Sequence, residues 1–375
     1  MSDLDLLHTD VEDDLRASVR ALLRDRCDPT VVAGLYDGQP GPTGLWESLS
    51  RDLGLAGLVV PESLGGAGAS AREAAVVMEE VGRAVAPVPF LTSSVMATTL
   101  LLRAGGDPAD GLVRELASGE RTAALVVPFS TGVGGALPAL SAADGRVSGE
   151  LRSVAGALEA DLLLVPVATA DGVDVLAVEA ADATIDPVVS LDMTRQVADV
   201  TLSGASGTLV ASGPEGASAV HAALLAGAAL LASEQVGAAQ WCLESTVAYL
   251  KERRPFGRVV GGFQALKHRL ADLVVEVESA LAAARYAAAA LAAGDPDTDV
   301  AASVAQAFCS ETAVHAAEEA IQLHGGIGMT WEHPAHLYLK RAKADQVALG
   351  TAGHHRARLA TLVDLPGAPT EGVPA

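Results

Sequence analysis

Apolar residues recur at helical spacing over the first third of the chain, where Leu15, Val19, Leu22 and Leu23 step by three and four, the period of one buried stripe on a helix. Leu45 to Leu53, Ala71 to Val85 and Ser93 to Ala104 carry the same rhythm and are predicted to be helices. The segment Gly54-Leu55-Ala56-Gly57-Leu58-Val59-Val60-Pro61-Glu62 runs into a loop, Gly65-Gly66-Ala67-Gly68, where missing side chains permit close backbone approach. From about Thr122 the rhythm gives way to short apolar runs broken by Gly, Pro, Asp and Ser, the texture of antiparallel strands joined by turns. Ala123 to Pro128, Asp161 to Ala168, Val173 to Val178 and Val197 to Leu202 are the predicted strands of a small barrel or sandwich. After Gly216 the helical period returns, and Leu266, Leu270, Leu273, Val274, Val277 and Leu281 mark the buried face of a long helix. Gly294-Asp295-Pro296-Asp297 stops that helix and starts another, which reaches Leu323 and ends at Gly325-Gly326. A further helix follows Pro334, and a last one spans Thr351 to Val363.

These patterns predict an α+β chain. The expected parts are a helical domain over 1–120, a β domain over 121–214, a helical bundle over 215–365 and a frayed tail over 366–375.

Composition narrows the function. The 375 residues are half apolar and 19% charged, enough to bury a substantial core. A net charge of -22 excludes a nucleic-acid partner, since such binding rests on clustered Lys and Arg. Cys27, Cys242 and Cys309 are scattered without metal-ligand spacing and read as buried small hydrophobes in a reducing cytoplasm. The acidic start lacks the basic and apolar regions of a signal peptide, and no run approaches about eighteen uninterrupted apolar residues, so neither export nor a membrane span is expected. The cluster Gly132-Val133-Gly134-Gly135 looks like a dinucleotide loop, but no helical pattern follows it, and it reads as a turn.

Several blocks carry a resemblance. Trp46 to Gly68, Glu234-Gln235-Val236-Gly237, Arg253-Arg254-Pro255-Phe256-Gly257, Phe263 to His268 and Gln322-Leu323-His324-Gly325-Gly326-Ile327-Gly328 lie in one register along nearly the whole chain. Together with the order helices, strands, helices, they resemble the acyl-CoA dehydrogenase family, whose subunits hold FAD jointly with a neighbour. The resemblance implies an acyl-CoA substrate, FAD as cofactor and an electron-transfer flavoprotein as electron acceptor. It also implies that Arg253, Phe256, Gln264, Gln322, Gly325 and Gly326 contact the cofactor. Their chemistry suits that role: an arginine at a helix end supplies a fixed cation for a pyrophosphate, Phe256-Gly257 an aromatic wall and a turn, and Gln322 and Gln264 amide groups. Gly325 and Gly326 allow backbone approach, although taken alone they also fit a helix C-cap.

The sequence departs from the family where the chemistry lies. Family members remove the substrate's α-proton with a glutamate, in most of them directly before a Gly-Thr pair. Here Leu349 precedes Gly350-Thr351, and the position used by a minority of members, on the first bundle helix, falls near Gly227. Neither residue can take a proton, so no catalytic residue is assigned. Glu234 and Asp345 are the remaining acids to consider. Glu234 shares a helix stripe with Gly227 but lies about 10 Å further along, and Asp345 follows Arg341 at the spacing of a surface ion pair. The stretches that hold the isoalloxazine in the family correspond to Val127-Pro128-Phe129-Ser130-Thr131-Gly132 and Leu151-Arg152-Ser153-Val154-Ala155-Gly156, and both lack its residues. His354 and His355 read as a solvated helix face, and Thr194 and Arg195 as a capped turn.

Some actinobacterial members of the family are α2β2 heterotetramers in which one subunit supplies the base and the other completes the cofactor pocket. The chain resembles the second kind, which makes a further acyl-CoA dehydrogenase-like subunit its expected partner. Two other readings stay open here: a self-sufficient enzyme using Glu234 or Asp345, and a non-enzymatic binding homologue.

Overall fold

The computed structural model describes residues 4–254 and 257–366, so Phe256 lies outside the described residues. The first layer is helical: α1 (Asp10–Arg26), α2 (Pro29–Gly34), the short α3 (Leu45–Glu47), α4 (Ala71–Ala84), α5 (Thr98–Ala104) and α6 (Asp107–Ala117). Local chemistry sets the starts. Thr9 caps α1 and Ser70 caps α4, each completed by a glutamate three residues on, Glu12 and Glu73, so backbone donors that a helix leaves orphaned are satisfied. The stretch expected as a helix over Leu45 to Leu53 widens after Glu47 into a five-residue turn, Ser48–Asp52. Gly66 packs into the loop as its composition predicts, since a Cβ there would lie 2.1 Å from the Val60 carbonyl oxygen.

Seven strands follow: β1 (Ala123–Leu125), β2 (Ser141–Ala143), β3 (Arg146–Ala155), β4 (Leu162–Thr169), β5 (Gly172–Glu179), β6 (Ala183–Val188) and β7 (Val197–Ala211). They run in the order β1-β4-β5-β7-β3-β2, with β6 also on β7. The long β7 joins two halves: residues 197–206 pair with β3, and 207–211 pair with β5. All pairs are antiparallel except β1 with β4, a parallel pair made possible by the long connection between them. The wholly antiparallel expectation is corrected at that point. Strands β2, β3 and β6 are not among those the sequence predicts. β3 alternates loosely, with Ser148, Gly149, Arg152 and Ser153 diluting its apolar face, and such a pattern carries little strand signal.

The remaining helices form the bundle: α7 (Gly213–Glu252), α8 (Gln264–Ala293), α9 (Thr298–His324), α10 (Ala335–Asp345) and α11 (Ala352–Leu362). α7 is the axis of the molecule. It has an apolar window long enough to cross a membrane, but 78% of that window is buried inside the protein. Alanine and glycine let neighbours come close: a Cβ on Gly82 of α4 would sit 2.0 Å from the Glu234 carbonyl oxygen, and one on Gly237 would sit 1.9 Å from that of Glu79. α4 and α7 therefore cross in backbone contact. One apolar core runs through both helical layers and the inner sheet face, and a second lies within the sheet. The three cysteines are buried and free, and burial pushes the Cys27 thiol up to about 12.

Candidate functional site

Two places in the fold answer to the sequence motifs, one open and one closed. The open one forms where α7 and α9 end side by side. Arg253 is the residue at which α7 stops, its backbone turning to an extended conformation, and its carbonyl accepts from Val260 N at 2.9 Å, folding the following loop back. α9 stops at Gly325, whose φ of 63° suits glycine, and a tight turn runs on to Met329. Between them lies a cleft of about 610 Å³ lined by Arg253, Gly325 and Gly326 together with Tyr249, His324 and Ile327. No atom stands within 4 Å of where a Cβ on Gly325 or Gly326 would be. The exposed guanidinium of Arg253 and a stretch of bare backbone thus share one cavity.

Tyr249 and His324 are not singled out by the sequence. Tyr249 precedes Arg253 by one helical turn, and its ring stacks on His324 with centroids 4.5 Å apart. His324 Nδ1 donates to the Ala320 carbonyl at 2.6 Å, and burial holds its pKa below the ordinary value. The ring is therefore neutral at neutral pH, and its Nε2 is left as an acceptor. Of the other predicted contacts, Gln322 lies exposed on the last turn of α9 and Gln264 exposed at the start of α8, and neither lines this cleft.

The closed place is where α7, the sheet and the loop before α11 meet. Leu349 is fully buried in the left-handed backbone region, φ 52°. Its N–H donates to the Phe129 carbonyl at 2.8 Å and its carbonyl accepts from His355 Nε2 at 3.0 Å. Gly227 faces it: a Cβ there would come within 3.0 Å of Leu349 Cδ1 and of Met96 Cγ. Leu349 and Gly227, the two positions where the resemblance led a base to be sought, therefore face one another, which the sequence did not foretell. What fills the space between them is apolar. Only about 10 Å³ remains among Thr92, Met96, Val127, Phe129, Ala155 and Leu349, roughly the room of one water molecule. His355, expected on a solvated face, is instead fully buried, and desolvation pushes its pKa down to about 4. His354 reaches the Val133 carbonyl at 3.3 Å and so pins the glycine turn at 132–135.

The two remaining acids lie elsewhere, in a buried cluster that the sequence hid. Arg195, between β6 and β7, gives Nη1 to Asp345 at 2.7 Å and Nη2 to Glu234. Arg341 sits 3.5 Å from both Asp192 and Glu234. Asp192 in turn accepts from the backbone and hydroxyl of Thr194, at 2.9 and 2.6 Å, so Thr194 does form the expected capped turn. Asp345 is 1% exposed and its nearest cation is Arg195, which corrects the surface pair expected with Arg341. Two guanidiniums face three carboxyls here, and burial beside the like charge of Glu234 pushes Asp345 up to about 8 despite Arg195. One proton on Asp345 leaves the cluster neutral, the state that a low-dielectric site favours. Neither Glu234 nor Asp345 lines the small cavity at Leu349.

Helices, a mixed sheet and a long-helix bundle, with an arginine-glycine cleft at the helix ends, define the class of protein to which the motifs pointed. The acyl-CoA dehydrogenase N-terminal domain matches residues 9–120 and the acyl-CoA dehydrogenase C-terminal domain matches 214–363. The acyl-CoA dehydrogenase IpdE2 of Mycolicibacterium smegmatis is 36% identical over 92% of this chain and 96% of its own. The chain belongs to the acyl-CoA dehydrogenase family. Among solved structures, the ChsE4-ChsE5 complex from Mycobacterium tuberculosis is 27% identical with a TM-score of 0.86, covering 97% of this chain and all of that one. A variant of the Tcur3481-Tcur3483 steroid ACAD is 29% identical with a TM-score of 0.82, over 94% of this chain and 98% of that one.

Proposed function

We propose that this chain is the non-catalytic partner subunit of a heteromeric, FAD-dependent acyl-CoA dehydrogenase. In this reading it completes a flavin site whose base belongs to a second acyl-CoA dehydrogenase-like subunit, in an α2β2 assembly. The observation that carries the proposal is the contrast between the two places just described. The cleft at Arg253 is about 610 Å³ and open, whereas Leu349 packs against Gly227 and the cavity beside Leu349 is about 10 Å³ and mostly apolar. The first fits a pyrophosphate and its sugar: a guanidinium for charge, glycine backbone for close approach and an aromatic-imidazole stack as a wall. The second cannot take a tricyclic ring or a thioester without displacing core side chains, and it offers no carboxylate. That two related solved structures are complexes of two differently named proteins agrees with a heteromeric assembly.

Bound FAD supplies the acceptor for the substrate's β-hydrogen. This chain's residues contribute binding and orientation. Arg253 neutralises phosphate charge, and Gly325 and Gly326 present backbone. The neutral His324 offers its Nε2 as an acceptor from a sugar hydroxyl, and Gln322, Gln264 and Phe256 are the further contacts proposed from the family motifs. The acyl-CoA and the electron-transfer flavoprotein that takes up the electrons act on the assembled complex. A self-sufficient enzyme is disfavoured because Glu234 and Asp345 are both held by Arg195, and geometry precedes pKa in choosing a base.

The test is purification with and without the partner. The chain alone is expected to be colourless, and the co-expressed complex yellow and able to reduce its flavin with acyl-CoA. Stoichiometric FAD on the lone chain, bleached by acyl-CoA, would overturn the proposal.

A further inference from the structure

A second large cavity, about 460 Å³, opens between α1, α4, α7 and α10 and shares no lining residue with the cleft at Arg253. Its volume falls within the range of small-molecule sites. Part of its lining is apolar and flat. Trp241 of α7 and Tyr338 of α10 stack face to face with centroids 3.8 Å apart and planes 6° apart, and Leu23 adds an aliphatic wall. Tyr338 is held in place because its hydroxyl donates to the Arg83 carbonyl at 2.6 Å.

The charged part of the lining is three arginines and one acid, Glu80, a cationic excess on a chain of net charge -22. Arg20, Arg24 and Arg83 all line the cavity. Arg20 spends Nε and Nη2 on Glu80, at 2.8 and 2.7 Å, which leaves Nη1 unspent. Arg83 gives both terminal nitrogens to Glu244, which leaves Nε. Glu80 is shared with Arg16, so its one charge serves two guanidiniums. Arg24 is exposed and has no carboxylate partner among the described residues; its neighbour Asp25 lies 3.6 Å from Arg26, and Asp28 bonds Thr30 at 2.7 and 2.6 Å. A guanidinium without a carboxylate partner, two further arginines with a spare donor each and a stacked aromatic pair thus line one cavity, a set of groups suited to an anion that carries an apolar body.

We propose that this cavity binds a small carboxylate with a flat ring system, its carboxylate on Arg24 and its ring against the Trp241-Tyr338 wall. The site is independent of the flavin reading, and failure of either leaves the other standing.

The experiment is calorimetric titration of the full-length chain with naphthalene-2-carboxylate, with naphthalene-2-methanol as ring without charge and inorganic phosphate as charge without ring. The carboxylate is expected to bind saturably below roughly 1 mM, about fivefold or more tighter than the alcohol, and phosphate is expected not to displace it. Arg24→Ala alters an exposed side chain and leaves the fold intact. It is expected to bring the carboxylate's affinity down to that of the alcohol, whereas Trp241→Phe weakens both ring ligands. Equal affinity for carboxylate and alcohol, displacement by phosphate alone, or an Arg24→Ala variant that binds as well as the native chain would each overturn the proposal.

Discussion

Leu349 illustrates how one side chain can close a site. It is fully buried, its backbone is hydrogen-bonded on both sides, and its methyl groups face Gly227 and Met96. Restoring the family's acid there is expected to damage the fold and give no catalyst: Leu349→Glu places an unpaired carboxylate in a space of about 10 Å³ and should cost roughly 3 kcal/mol or more of stability, measured by urea unfolding. A stable Leu349→Glu chain that turns yellow on its own would show the space to be a usable pocket. Asp345 makes a second prediction at this scale. Its folded pKa stands at about 8 against an ordinary 3.8, so between those values the folded chain keeps a proton that the unfolded chain has released. The stability this contributes is fully present below about pH 4 and is lost as pH rises through 8. The melting temperature is therefore expected to fall from pH 6 to 9, and Asp345→Asn should flatten that slope. An unchanged slope in the variant would assign the pH dependence elsewhere.

Among the elements, the crossing of α4 and α7 is the tightest joint. Gly82 and Gly237 put the two backbones in contact, and the flanking Glu79, Glu80 and Glu234 send their side chains to Arg16, Arg20 and Arg195 on other elements. A methyl group at Gly237 would meet the Glu79 carbonyl at 1.9 Å, which neither backbone can accommodate by rotating a side chain. Gly237→Ala is thus expected to destabilise the chain by about 3 kcal/mol and to lower its yield of folded material, readable by thermal melt. Gly326→Ala, where a Cβ meets nothing within 4 Å, is the matching control for folding and should melt as the native chain does. Much of this layer was legible beforehand: the helix over Ala71 to Val85, the stop at Gly294 and the end at Gly325 follow from periodicity and capping chemistry that act within a few residues, whereas the capping boxes at Thr9 and Ser70 emerged only with the structure. The sheet was less legible, because β3 and β6 gain their place by pairing with β7, a later segment of the chain, and half-exposed strands carry a weak alternation.

For the molecule as a whole, the open and closed sites predict a division of labour between two chains. Arg253→Ala leaves the fold untouched, since its side chain is exposed. It is expected to lower flavin affinity in the co-purified complex about tenfold, the loss of a charge-assisted contact, while leaving the complex assembled. Absorbance at the flavin band against protein, read with the sedimentation of the complex, separates the two effects. Retention of full flavin occupancy would remove Arg253 from the site. The acidic surface bears on the same assembly: at -22 the chain repels copies of itself at low salt, and a partner must meet it through local cations or apolar surface such as the exposed Met329 and Trp331 that follow Gly325 and Gly326.

The sequence by itself determined the helical and strand texture, the order of the three parts, the register of the family motifs and the absence of a carboxylate at Leu349 and Gly227. Those are properties of residue type and short-range spacing, which local sterics and capping enforce wherever the chain goes. Only the tertiary structure decided that Leu349 and Gly227 face one another across a filled space, that Arg253 and Gly325 share an open cleft, and that Asp192, Arg195, Glu234, Arg341 and Asp345 meet in one buried cluster. Each joins residues far apart in the chain. Their burial, and with it the proton on Asp345 and the neutrality of His355, depends on low-dielectric surroundings assembled from several elements at once.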